Sequence, residues 1–384
     1  MRALHVLPIF GFGLAALFAT GCGCRNTEPV ELVEPTPEDP HDIGQYLSMG
    51  VYDGQPAAAY YDRTKGGLTF AIGTLDGDTV RWEEERIDGF VDSEGLDVGD
   101  RGKYTSMLVD GTDVWISYYD ATNGNLFYAR RADKDDWESG FADSGGGSTP
   151  HGGRFSSLAM GADGYPAVAH YDVNKGQLRL ARWNGNGWSG SVLDEGEDFI
   201  PGEGDTALEE VDADVGKYAR LEVVDGTEYI AYYDAANGDL KLATGSGSDF
   251  SVETVASEGN VGSWPSIMVK GGEVLIAYQD MTNWDLVLTR GTPGGPWTTE
   301  VIDDGEFRGA DTEIFENGSY PGILYFDGSD NNMMLATYDG SQWATQVLAD
   351  EGGLGFHNET IVIGGTRYAG CYDYTRRTIH FQSL

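Results

Sequence analysis

Apolar and polar positions along this chain follow a pattern that repeats. The stretch ISYYDATNGNL (116–126) alternates small or apolar residues with tyrosines, reaches an Asp, crosses a polar turn and returns to an apolar run. It recurs as AAYYDRTKGGL from Ala58, VAHYDVNKGQL from Val168, IAYYDAANGDL from Ile230 and IAYQDMTNWDL from Ile276. Weaker copies, ILYFDGSDNNM from Ile323 and AGCYDYTRRTI from Ala369, follow. A period of two marks strands, so each copy predicts two short strands around a tight turn. Gly at the fourth position after the Asp suits a positive φ, and the Asp side chain can satisfy turn N–H groups. The anchors are Asp62, Asp120, Asp172, Asp234, Asp280, Asp327 and Asp373, spaced by 58, 52, 62, 46, 47 and 46 residues.

Two further strands flank each hairpin. Before it runs a segment such as GKYTSMLVDGT from Gly102, matched by GRFSSLAMGADG from Gly153, GKYARLEVVDGT from Gly216 and GSWPSIMVKGG from Gly262. After it comes an outer strand with Trp four or five residues before an apolar residue: Trp82/Ile87, Trp137/Phe141, Trp188/Val192, Trp297/Val301 and Trp343/Val347, with Phe250/Val255 in the fourth repeat. Naming the strands a to d in chain order, short strands in even fours with a period in the mid-forties predict an all-β fold, a seven-bladed β-propeller with four antiparallel strands per blade. The blades are expected at about 44–89, 100–145, 151–196, 214–259, 260–305, 307–352 and 353–384. The last repeat ends without strand d. Residues 30–34 (VELVE) parallel the outer strand VETV from Val252, so they are expected to close the ring and remove its unpaired edge.

The N-terminus has another pattern. Arg2 precedes an apolar stretch from Leu4 to Phe18, too short to span a bilayer, ending in Ala19-Thr20-Gly21-Cys22. Small residues before that Cys resemble the bacterial lipobox. The resemblance implies a signal peptide over 1–21, lipidation of Cys22, a tether over 22–29 and a propeller over 30–384. Gly23 after the Cys implies an outer-membrane destination. Of the other two cysteines, Cys24 sits in the tether and Cys371 in a predicted strand, so no disulfide framework follows.

Composition changes the functional picture through charge. Acids outnumber bases 63 to 24, a formal net charge of −39, which argues against nucleic acid or anionic lipid as direct partners. The surplus length of the first three spacings falls in the d–a loops at 89–101, 144–152 and 195–215, on the face that also carries the Asp turns. Extra loop length on a compact scaffold points to function. The longest insertion holds nine acids and no Lys or Arg. Its Glu203, Asp205, Glu209, Glu210, Asp212 and Asp214 make Ca²⁺ the one cofactor left open, although no Asp-x-Asp-x-Asp-Gly loop is present, and a solvated acidic loop is the expected state.

Departures from the repeat mark a second candidate. The second residue after the Gly that opens strand a is aromatic in five blades (Tyr46, Tyr104, Phe155, Tyr218, Trp264) but Asp311 and His357 in the last two. Two residues on, the series reads Ser48, Ser106, Ser157, Arg220, Ser266, Glu313 and Glu359, and Lys103, Arg154 and Lys217 follow the Gly directly. These positions predict a channel mouth that is acidic on one side and basic or aromatic on the other. Carboxylates near a His could perform acid–base chemistry; the alternative, which is favoured, is that Arg220, Glu313 and Glu359 form ion pairs plugging the channel. No Gly-x-Ser-x-Gly, His-Glu-x-x-His or phosphate loop occurs, so no catalytic residue is assigned.

The YYDxxNGxL hairpins with outer strands such as NGNGW (184–188) and DGSQW (339–343) resemble repeats of bacterial secreted β-propellers of the sialidase-like and lectin-like neighbourhood. The Asp-box Ser-x-Asp-x-Gly-x-Thr-Trp is absent, and of the arginines that sialidases place in the channel only Arg220 has a counterpart. The expected function is a non-catalytic, lipid-anchored envelope protein with a monomeric domain whose acidic face binds a protein or glycan. The alternative is a hydrolase or lyase acting on an extracellular polysaccharide through Glu313, Glu359, His357 and Arg220.

Overall fold

In blade one, Ile43–Tyr52, Gln55–Asp62, Gly67–Asp76 and Thr79–Asp88 pair antiparallel in chain order, and this plan recurs around a seven-bladed β-propeller. The computed structural model describes residues 42–77, 79–89, 99–134, 136–145, 151–196 and 213–384, and every regular element among them is a strand. Six sheets have four strands. The seventh shows three among the described residues, Phe356–Ile363, Thr366–Asp373 and Thr378–Ser383; the segment 30–34 lies outside the described residues, as does Cys22.

The a strands wall the centre: Ile43–Tyr52, Arg101–Asp110, Gly152–Met160, Val215–Val224, Val261–Lys270, Arg308–Asn317 and Phe356–Ile363. Each packs beside the next, and the last packs beside the first, so the ring is closed. Strand b is the most buried element. In Pro166–Asp172 every residue is buried, because both sheet faces are covered by neighbouring blades. Strand d is the rim and the most exposed strand of each blade, and even apolar residues such as Phe141, Val301 and Val347 are exposed there.

The Asp turns behave as their sequence predicts. Asp120 Oδ1 accepts the N–H groups of Thr122 and Asn123 at 3.0 Å each, and Asp234 Oδ1 those of Ala236 and Asn237 at 3.1 Å each. The fourth position after the Asp holds φ +69 at Gly66 and +73 at Gly124, and keeps φ +65 at Trp284, +59 at Asn331 and +58 at Arg377 where Gly is lacking. Blades are latched to one another by a polar pair. An Asp at the end of strand d accepts from strand b of the next blade: Tyr118 on Asp88 at 2.6 Å, His170 on Asp143 at 3.1 Å, Tyr232 on Asp194 at 2.6 Å and Tyr325 on Asp303 at 2.5 Å. A buried phenol needs such a partner, so the latch also fixes the register between blades. Cys371 is buried in strand b of blade seven, accepts the Gly355 N–H, and has its thiol pushed up to about 12 by burial.

Candidate functional site: the channel mouth and an inter-blade cleft

Each a strand opens on a Gly with φ between +90 and +112. A Cβ on Gly102 would lie 2.8 Å from the Leu68 backbone, and one on Gly153 2.7 Å from that of Leu126, so close approach to strand c of the preceding blade demands glycine. Two residues later the backbone is again left-handed, now without glycine: φ lies between +47 and +56 at Tyr46, Tyr104, Phe155, Tyr218, Trp264, Asp311 and His357. The pairing of strands a and b shifts register at this point. Such a bulge re-aims a side chain, and each left-handed residue costs about 1–3 kcal/mol that the surrounding ring must offset.

The re-aimed side chains form a collar with one member per blade. Ring centroids of Tyr46 and Tyr104 are 4.7 Å apart, Tyr104 and Phe155 4.8 Å, Phe155 and Tyr218 4.5 Å, Tyr218 and Trp264 4.9 Å, and His357 and Tyr46 5.0 Å. Asp311 fills the remaining place, 3.9 Å from His357 Nδ1. Burial raises the Asp311 carboxyl and lowers His357, so the imidazole is neutral at neutral pH.

One step further along, the serines stitch the seams. Ser48 Oγ accepts the Met107 N–H at 3.0 Å, Ser106 that of Leu158 at 3.0 Å, Ser157 that of Leu221 at 2.9 Å and Ser266 that of Ile314 at 3.0 Å. Arg220, Glu313 and Glu359 replace this serine in the other blades. Among the described residues no ion pair joins Arg220 to either carboxylate, although its charge favours the ionised form of both. Burial, reinforced by Glu359, pushes Glu313 up to about 8, and burial pushes Glu359 up to about 7 against the favourable charge of Arg220. Glu222, absent from the sequence reading, is pushed up to about 7 by burial, and its Oε2 has no hydrogen-bond partner. The channel thus holds carboxyls whose protonated form is favoured by burial.

The basic side of the mouth is mostly neutralised. Lys103 pairs with Asp100 at 2.6 Å and Lys217 with Asp214 at 2.5 Å. Asp214, read from sequence as part of a cation loop, instead accepts from Lys217 and from the Tyr171 hydroxyl at 2.5 Å. Glu203, Asp205, Glu209, Glu210 and Asp212 lie outside the described residues, among which no group of three or more His, Cys, Asp or Glu is arranged to hold a metal.

A second feature lies on the face of the a–b and c–d turns, opposite the Asp turns. The tenth residue after the anchor Asp is Arg130, Arg182 and Arg290 in blades two, three and five. Arg182 reaches across the seam and makes a bidentate pair with buried Glu228 of blade four, one arm at 2.7 Å. Arg130 is held by Asp113 and Glu138, each at 3.6 Å, and lies over Trp115. Across from Arg290 the position equivalent to Glu228 is Pro321, and among the described residues the Arg290 side chain has no hydrogen bond, ion pair or ring contact. A cavity of about 240 Å³ opens there, lined by Arg290, Glu300, Tyr320, Tyr338 and Trp343. Trp343 Nε1 donates to Glu300, which aims that carboxylate into the cleft, and Tyr338 packs against Trp343 at 5.2 Å and Tyr320 at 5.7 Å. The sequence reading missed this cleft; Pro321 standing where blade four has Glu228 was its only signal.

No protein-family model matches this chain, and no curated protein does. Among solved structures it is similar to the polysaccharide lyase Uly1, with a TM-score of 0.53 at 10% identity over 95% of this chain and 93% of that one. It is also similar to a fucose-binding lectin mutant from Aleuria aurantia (0.48, 14%, 80% and 97%) and to an N10 neuraminidase-like protein of a bat influenza A virus (0.47, 11%, 73% and 93%). At these identities the likeness concerns the propeller fold alone.

Proposed function

We propose that this protein is a glycan-binding propeller anchored through Cys22 in the bacterial cell envelope. The observation that carries this reading is the cleft between blades five and six. An unpaired guanidinium, an oriented carboxylate and three aromatic rings line a cavity of about 240 Å³. Aromatic rings cover the apolar C–H face of a sugar, while arginine and carboxylate groups hydrogen-bond its hydroxyls in pairs. A glycan array probed with the purified chain should show ligands whose binding falls at least about tenfold in Arg290→Ala, the loss expected for charge-assisted hydrogen bonds. Equal binding by that variant would remove the cleft from the account. Anchoring has its own test: mass spectrometry of the mature N-terminal peptide should find acylated Cys22, and Cys22→Ser should release the protein from membranes.

A second reading, a polysaccharide hydrolase or lyase, draws on Glu313 and Glu359, whose raised pKa values suit a general acid near neutral pH. Release of reducing ends or unsaturated sugars from a polysaccharide panel, lost in Glu313→Gln and Glu359→Gln, would establish it.

A further inference from the structure

We infer that the channel mouth binds the carboxylate of a small ligand, with Arg154 as its anchor. Three equivalent places around the mouth differ in how their cation is neutralised. In blades two and four, the residue after the opening Gly is a Lys whose ammonium is neutralised by an Asp three positions earlier, Lys103 by Asp100 and Lys217 by Asp214. Strand b of the preceding blade completes each trio, with the Tyr61 hydroxyl on Asp100 at 2.7 Å and the Tyr171 hydroxyl on Asp214 at 2.5 Å. Blade three keeps the tyrosine and the cation but not the acid. Tyr119 meets His151 Nδ1 at 3.4 Å, and the Arg154 side chain has no hydrogen bond or ion pair among the described residues; its guanidinium lies 5.5 Å from the centre of the Tyr119 ring.

The surroundings of Arg154 suit an anion. Its Nε is buried without a partner. Its charge acts on the phenols of Tyr46, Tyr104 and Tyr171, which places it beside the aromatic collar. Tyr104 is more than nine-tenths buried, and its hydroxyl lies beside that of Tyr46. A carboxylate set between them would accept from the fork of Arg154, satisfying its unmet Nε–H, and from the Tyr104 hydroxyl. A small ligand fits this place better than a polymer, because a net charge of −39 repels a chain of anions while a single carboxylate is held locally. The inference does not rest on the cleft between blades five and six.

The test is isothermal titration of the full chain with D-glucuronate, its neutral analogue D-glucuronamide, and inorganic sulfate. Glucuronate should bind, and glucuronamide and sulfate should bind at least about tenfold more weakly. Arg154→Gln should weaken glucuronate by a similar factor. His151→Asp, which installs the acid that blades two and four carry, should abolish binding while the thermal midpoint stays that of the parent. Glucuronate binding that survives both Arg154→Gln and His151→Asp, no binding at all, or equal binding of glucuronamide or sulfate would overturn the assignment.

Discussion

The seam between blades three and four and the seam between blades five and six start from the same arginine and end differently. At the first, Arg182 is clamped by buried Glu228 and the seam is shut. At the second, Pro321 takes the place of the carboxylate, Arg290 is left unpaired, and a cavity opens beside Trp343. The mouth repeats the lesson on the other face, where Lys103 and Lys217 are neutralised and Arg154 is not. In a repeat protein, the position that has lost its partner is the one free to meet something else.

The largest expected effect separates the two seams by stability. Glu228→Ala would strand Arg182 in a buried site and should cost about 3–5 kcal/mol, whereas Arg290→Ala, which breaks no pair, should stay within about 0.5 kcal/mol. Urea unfolding of both variants decides this, and similar losses would erase the distinction. A smaller effect belongs to the serine stitches. Ser106→Ala leaves the Leu158 N–H unsatisfied and should cost about 1–3 kcal/mol by the same measurement.

A pH-dependent effect belongs to the seams where glutamates replace serine. Glu313 and Glu359 have folded pKa values of about 8 and about 7, above the ordinary 4.5. A group raised in this way binds its proton more tightly when folded. Its stabilising contribution is complete below pH 4.5 and is lost as pH rises through about 7 to 8. Stability should therefore fall between about pH 5 and about pH 9, and Glu313→Gln should make that fall shallower. A pH profile of the urea midpoint that is identical in parent and variant would show that Glu313 is already ionised and solvated.

Much of the fold was legible because its determinants are local. The Asp turns, the outer Trp and the opening Gly of strand a each act within a few residues, so their recurrence counted seven blades. The candidate mouth residues were also visible, since Arg220, Asp311, Glu313, His357 and Glu359 break a series that is otherwise uniform. What spacing did not show was which charges were already spent. Asp100 and Asp214 neutralise Lys103 and Lys217 only because the left-handed bulge at the strand opening draws positions three apart together. Arg290 and Pro321 face each other because strand c of one blade lies across strand b of the next, a relation between residues far apart in the chain. Glu222 likewise stands out only in the fold, where its Oε2 is buried without a hydrogen-bond partner.

The most direct test of the account puts the missing carboxylate back. Pro321→Glu would give Arg290 the partner that Glu228 gives Arg182. The account predicts a folded protein, with glycan binding by the cleft reduced at least about tenfold because the guanidinium is now occupied. Glycan affinity equal to that of the parent, in a variant shown to contain the new ion pair, would contradict it.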